Sequence, residues 1–333
     1  MKSQVKMSDI AKVLGVSTVT VSKALGDKDG VSVELRQKIK AKAQEMGYKI
    51  SSASQTMRTG RHNNIGILIS NRYLEGNSYY WSLYQDLLKE LSEKEYFGIL
   101  EIVSSQNEKQ LMVPRIINES KVDAIIIIGQ LRKRYLNKIT EEAMGKIIFL
   151  DFYDLYLPVS CIVSDNFNGG YTVTKYLIDQ GHQDLVFVGD VHATTSIMDR
   201  AMGFYKCMLD FKKDIRKEWY ITDRNEEGFI VDPILPEVLP TAFVCNNDNT
   251  AKRLYRVLKE KGYKVPEDIS LVGYDNFSTE NADIEITTME VGHERLAKSA
   301  VQMIINVING TGLPELVNLN SKLLEKKSVK KIN

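Results

Sequence analysis

The chain is poor in the residues that chemistry most often recruits: its 333 residues hold 3 cysteines, 4 histidines and 2 tryptophans. Cys161, Cys207 and Cys245 are scattered and odd in number, which excludes a disulfide framework and fits no metal-ligand spacing. They read as buried free thiols in a reducing compartment. His62, His182, His192 and His293 stand alone, with no nucleophile or second ligand at a useful offset. A glycine-rich phosphate loop is also missing. These absences argue against an enzyme and against a metal or other cofactor. No apolar run reaches membrane-spanning length and no signal-peptide pattern opens the chain, so a cytoplasmic protein without a membrane partner is expected. Net charge is nearly absent as well, at +1, but it is unevenly spread. Residues 1–61 hold 12 Lys and Arg against 5 Asp and Glu, while the remainder holds 32 against 38. A basic amino-terminal module on a mildly acidic body suits a nucleic-acid reader carried by something with another task.

What is present begins at once. Residues 7–25, MSDIAKVLGVSTVTVSKAL, carry two short helical patterns joined by a glycine. Ile10, Leu14, Val16, Val21 and Ala24 form a shared apolar seam, and Ala11 is small where the second helix crosses the first. Gly15 is free to take the positive φ of a tight inter-helix turn. Ser17 stands where an N-cap is wanted. The pattern predicts a helix-turn-helix, whose second helix lies in a DNA major groove. A third helix opens at Ser32, with Leu35, Ile39, Ala43 and Met46 at helical spacing and Gly47 at its end.

Beyond a polar stretch at 49–61 the pattern alternates. Strand-like runs at 65–69, 98–103, 124–128, 147–150, 185–188, 242–245 and 269–272 are separated by amphipathic helical stretches such as 81–93, 170–180, 248–261 and 294–308. The units are too many for one sheet, so two doubly wound α/β lobes with parallel sheets are expected. Ligands of such folds sit at strand carboxyl ends and in the cleft between lobes. Pro233, Pro236 and Pro240 argue against a full helix in 222–242. The division expected is a helix-turn-helix domain at 1–50, a hinge at 51–61 and a two-lobed effector and dimerisation domain at 62–333. One lobe takes about 62–162 with 293–320; the other takes 163–292 with the carboxyl-terminal segment.

From end to end the chain resembles the LacI/GalR family of bacterial transcriptional repressors. The resemblance rests on Asp9-Ile-Ala with Gly15-Val-Ser and Thr20-Val-Ser, on Val163-Ser-Asp-Asn166 with Gly169, and on Gly181-His182. It continues through Arg200 with Gly203-Phe204, Asn247-Asp248 with Ala251, the run from Pro266 to Asp275, and Ile286-Thr-Thr-Met289. It implies a homodimer, an all-α DNA-binding domain on a type I periplasmic-binding-protein core, and DNA affinity controlled by a small effector. A roughly palindromic double-stranded operator would follow from the dimer's two-fold axis.

At the DNA end, Thr18, Val19 and Lys23 are the expected reading positions: a hydrogen-bonding hydroxyl, a methyl pair for thymine and a cation for guanine. Lys23 stands where the family more often has arginine, which removes the bidentate fork. Ser17, Ser22, Ser32, Lys6, Lys12 and Arg36 are candidate phosphate contacts. Met57 aligns with the family's apolar minor-groove wedge, usually leucine.

At the effector end, the resemblance singles out Arg200 and Asp275, with Asn247 from the same lobe. Their donors and acceptors suit a polyol. Asp151 and Ser70 end strands of the other lobe, Ser196 lies one helical turn before Arg200, and Phe229 is a candidate pocket wall. Tyr73, Tyr79, Tyr80 and Trp81 include faces suited to sugar stacking, Tyr80 among the expected contacts. Asp248 is expected to cap the helix that follows it. A carbohydrate is therefore the expected effector; a nucleobase corepressor or a protein co-regulator is the alternative.

Overall fold

The computed structural model describes residues 5–48, 60–74, 79–277 and 283–332. The chain divides into two compact units, Met1–His62 and Asn63–Asn333. In the first, helices α1 (Met7–Leu14), α2 (Thr18–Leu25) and α3 (Val33–Glu45) enclose Ile10, Ala11, Val21, Ala24, Ile39 and Ala43. Leu14, Val16, Leu35 and Met46 pack at the margin of this core and stay partly exposed. Gly15 turns the chain with φ 64°, where a side chain would be strained. Ser17 caps α2, its hydroxyl accepting the Thr20 N–H at 3.0 Å, and Ser32 caps α3 by accepting from Leu35 at 3.4 Å. Arg36 donates to Asp27 at 3.1 Å and to the Lys28 carbonyl at 2.7 Å, tying the 26–31 turn to α3. That use of its guanidinium differs from the phosphate contact expected of it.

The second unit contains two six-stranded sheets. The first takes strands β1 (Asn64–Ser70), β2 (Phe97–Val103), β3 (Ala124–Ile128), β4 (Ile147–Leu150), β5 (Ser160–Ser164) and β11 (Leu316–Leu319), all paired in parallel in the order β11-β5-β4-β3-β1-β2. The second takes β6 (Leu185–Val188), β7 (Tyr220–Ile221), β8 (Ala242–Cys245), β9 (Ser270–Tyr274), β10 (Thr287–Glu290) and β12 (Lys322–Leu324) in the order β12-β10-β9-β8-β6-β7. Among the described strands only β12 runs antiparallel to its neighbour. Central strands such as β3 and β8 are buried along their whole length, which is why they read as unbroken apolar runs.

Helices cover both sheets. The first lobe carries α4 (Tyr79–Glu93), α5 (Ser105–Gln110), α6 (Arg115–Asn118) and α7 (Lys133–Glu142); the second carries α8 (Asn166–Asp179), α9 (Thr195–Asp210) and α10 (Asp248–Glu260). The last helix, α11 (His293–Ile308), packs back on the first sheet. The chain thus passes between lobes after β5, after β10 and after β11. Segment 222–242 holds no helix, as its prolines require; a bridge pairs Arg224 with Ile230.

Helices α8 and α9 meet unusually closely, with consequences for the site. A side chain at Gly170 would stand 2.2 Å from the Arg200 carbonyl oxygen, and one at Gly203 would stand 2.1 Å from that of Phe167. Only glycines let the backbones approach so far, and the approach places Arg200 beside Asn166.

Candidate functional site

The first unit presents α2 with one face buried and the other in solvent. Val21 and Ala24 point into the core, while Thr18, Val19, Ser22 and Lys23 are exposed, Val19 to 64%. A largely exposed valine between polar neighbours provides the apolar surface that a thymine methyl would meet. Lys6 and Ser17 are exposed as well. Ser17 is partly committed, because its hydroxyl also contacts that of Thr20 at 2.8 Å. Met57 lies outside the described residues, as does most of the expected hinge.

In the second unit, strand carboxyl ends from both sheets converge on a cavity of about 480 Å³, within the ordinary range of small-molecule sites. Arg200, Asp275, Asn247, Asp151, Tyr80 and Ser196 all line it. Asp151 follows β4 and Asp275 follows β9, each at positive φ, 69° and 93° respectively. Such backbone conformations are uncommon outside glycine and concentrate at functional sites.

Arg200 is buried and fully engaged. Its Nη2 lies 3.3 Å from Asp275 Oδ1, its Nε donates to Asn166 Oδ1 at 2.7 Å, and its Nη1 donates to the Asn246 carbonyl at 2.6 Å. The guanidinium also stacks 3.7 Å from the Tyr274 ring centroid. Burial pushes the Asp275 carboxyl up, with Arg200 opposing. Asp151 accepts the Tyr80 hydroxyl at 2.7 Å on Oδ2, while its Oδ1 is buried without a hydrogen-bond partner. Burial raises its pKa to about 6, against the pull of Arg200.

Three lining residues also tie elements together. Ser196 donates to the Asp151 carbonyl at 2.7 Å, bridging the lobes. Asn247, rather than Asp248, caps α10, accepting from the Thr250 N–H at 2.8 Å. Asp248 was expected to be the cap. Its Oδ2 instead accepts the Phe277 N–H at 2.8 Å, and its Oδ1 is buried without a partner. Burial carries its pKa to about 7. Room for this carboxylate comes from Gly273, where a Cβ would lie 2.0 Å from Asp248 Oδ1.

Two expected contacts are placed elsewhere. Ser70 is completely buried and donates to Glu108 Oε1 at 3.0 Å, behind the lining. Phe229 sits in the bend bonded to Asn225, and its neighbour Ile230 lines the cavity together with Arg224. Tyr73 and Tyr79, named with Tyr80 as stacking candidates, line it as well, whereas sequence reasoning passed over Arg72, Lys252, Arg253, Arg256 and Phe277, which also line it. Tyr79 brings a buried hydroxyl with no partner. The aromatic cluster at and just ahead of the first turn of α4 was the signal for the tyrosines. Arg72 was less visible; it holds Glu108 at 2.8 Å and the Gln130 carbonyl at 2.7 Å.

Among the described residues no cluster of three or more His, Cys, Asp or Glu could hold a metal ion, and no helix is long and apolar enough to cross a membrane. The cavity therefore offers binding groups of both hydrogen-bond polarities around buried charge.

Residues 6–51 match the family described as bacterial regulatory proteins, lacI family, and residues 174–329 match the periplasmic binding protein-like domain. The chain is 27% identical over 334 residues to the HTH-type transcriptional repressor PurR of Histophilus somni (strain 129Pt), covering 97% of this chain and 98% of that protein. The PurR repressor of Vibrio parahaemolyticus serotype O3:K6 is 26% identical, with 98% and 99% covered. In fold the chain is similar to a lac repressor dimer bound to operator and the anti-inducer ONPF, with TM-score 0.80, 20% identity and 98% and 100% coverage. The transcriptional regulator CelR in complex with cellobiose gives TM-score 0.67 at 21% identity, again covering 98% and 100%. The chain thus joins a LacI-type helix-turn-helix module to a periplasmic-binding-protein-like body, and the full-length relatives it resembles are transcriptional repressors.

Proposed function

We propose that this protein is a transcriptional repressor, not an enzyme, that binds a pseudo-palindromic DNA operator as a homodimer and whose operator affinity is set by a small polyol in the interlobe cavity. Thr18, Val19 and Lys23 on α2 read base edges; Lys6, Ser17 and Ser22 contact phosphates; residues 51–61 are the hinge, with Met57 its minor-groove wedge. The relatives named as transcriptional repressors over their full length support this reading.

The observation that carries the effector reading is the meeting of Arg200, Asp275 and Asp151 at facing strand ends beside Tyr79 and Tyr80. Polyol hydroxyls both donate and accept, so they can serve the unpartnered Asp151 Oδ1 and Tyr79 hydroxyl. The nearby rings suit the apolar faces of a sugar. Ser196 and the Thr195 N–H, bonded to the other lobe at Asp151 and Gln130, give such a ligand lobes to draw together.

The test is titration of candidate sugars and nucleobases against operator-bound protein, read by fluorescence anisotropy. A sugar that shifts operator affinity supports the reading, and a nucleobase that does so transfers the effector role to a corepressor of that class. If no metabolite acts while a partner protein does, the small-effector reading fails.

A further inference from the structure

The cavity lining is electrically divided. Strand ends supply Arg200 with Asp275 and Asp151, whereas α10 and the 222–242 segment supply Arg224, Lys252, Arg253 and Arg256 against one lining carboxyl of α10, Asp248. The second group is poorly neutralised. The Arg224 side chain is only 7% exposed, its Nε has no hydrogen-bond partner, and its nearest carboxylate oxygen, on Asp223, stands 3.6 Å away. Lys252 donates to the Phe277 carbonyl at 2.8 Å and forms no ion pair with a described residue. Arg253 and Arg256 share one carboxylate, Asp232, at 3.0 and 3.5 Å, and that carboxylate is 56% exposed. One acidic side chain thus spans two guanidinium groups beside the cavity, and it comes from the proline-rich segment rather than from a packed element.

We propose that the effector is an anionic polyol, a sugar bearing a phosphate or carboxylate group, whose anion is received by Arg224, Lys252, Arg253 and Arg256, and that Asp232 is the carboxylate it displaces. The inference rests on the cavity being the effector site. A neutral sugar leaves these cations as they are. An anion gives Arg224 Nε an acceptor and gives the two arginines on α10 charge-assisted, bidentate partners in place of an exposed one. The hydroxyls remain for Asp151, Asp275 and Arg200.

The experiment is calorimetric titration of the full-length protein, at low ionic strength, with matched probes: glucose, glucose 6-phosphate and glucuronate; ribose and ribose 5-phosphate; and inorganic phosphate. An anionic member should bind at least about ten-fold tighter than its neutral parent, and the phosphate and carboxylate arms identify the group. In the Arg253→Gln/Arg256→Gln variant that advantage should shrink to about two-fold, while Asp232→Asn should raise anionic affinity about three-fold or more. Unfolding midpoints without ligand check that each variant is folded. If the double variant is not, Arg256→Gln alone, at a side chain 60% exposed, carries the same expectation. A neutral parent that binds as well as its anionic derivative overturns this inference and leaves the effector reading standing. Failure of every sugar, neutral and anionic, overturns both. Inorganic phosphate that binds equally to wild type and the double variant, with no sugar phosphate preferred, marks an adventitious ion only and also overturns the inference.

Discussion

Arg200 and Asp275 face each other across 3.3 Å, yet the arginine's shortest hydrogen bonds run away from the aspartate, to Asn166 and to the Asn246 carbonyl. The guanidinium therefore joins α8, the end of β8 and the end of β9 before it touches any ligand. This arrangement separates two residues that the sequence presents as equivalent partners in binding. Arg200→Ala leaves Asp275 buried without its cation and Asn166 Oδ1 with Ser164 alone, and should cost about 3–5 kcal/mol in urea unfolding. Asp275→Asn keeps every other arginine contact, so it should retain most stability while losing the effector response. Equal unfolding midpoints for the two variants would contradict the division of roles.

Asp151 gives a pH signature. Its folded pKa of about 6 lies above the ordinary 3.8, so the folded protein holds the proton more tightly than the unfolded chain does. Stability from this group is therefore greatest below about pH 4, falls as pH rises, and is fully lost above about 6, a change of ~3 kcal/mol. Asp151→Asn still accepts from Tyr80 but cannot ionise. The stability of the Asn variant relative to wild type should climb between pH 4 and 6 and then level off. A difference that stays flat across that window would show that Asp151 titrates normally.

Gln130 provides a test of lobe closure without touching the cavity lining. Its side-chain oxygen accepts the Thr195 N–H of the other lobe at 2.8 Å. Gln130→Ala removes one interlobe hydrogen bond, worth about 1 kcal/mol, and should weaken effector binding about five-fold. Calorimetry reads this directly, and unchanged affinity would place the closure energy elsewhere.

Ser17 serves the helix and, by expectation, the DNA. Ser17→Ala should destabilise the amino-terminal unit by about 1 kcal/mol through loss of the α2 cap. Ser17→Asp keeps a capping oxygen beside the positive helix end, so the fold is retained, but its charge opposes a nearby phosphate. Operator binding weaker in Ser17→Asp than in Ser17→Ala indicates phosphate contact; the reverse order indicates a capping role alone.

Lys23 can be assigned by salt dependence. If it contacts phosphate, Lys23→Gln should reduce the log–log salt slope of operator binding by about 0.9. If it reads guanine, the slope should hold while discrimination at one base pair relaxes by about 1–3 kcal/mol.

Much of the architecture was legible in the chain. Strands β3, β4, β6 and β8 have the bounds their apolar runs indicate, because strands covered on both faces need no polar alternation. The helix-turn-helix was legible for a related reason: its glycine, its cap and its seam all lie within nineteen consecutive residues, and each acts on its neighbours. Strands β5, β7, β10, β11 and β12 were not read as such. Segments such as Thr287–Glu290 and Lys322–Leu324 have little apolar pattern, and pairing with distant strands makes them strands.

The amino-terminal reader was thus determined by sequence alone, since local periodicity and turn chemistry suffice to specify it. The cavity was only half determined. Arg200, Asp275 and Asp151 could be named from a motif and from strand ends. That Ser70 turns behind the lining, that Asp248 faces inward while Asn247 caps, and that α10 brings Lys252, Arg253 and Arg256 to the same space were decided by tertiary structure. The physical reason is distance along the chain. The lining joins residues from 72 to 277, and only the packing of two sheets and the close meeting of α8 with α9 bring such separated charges together.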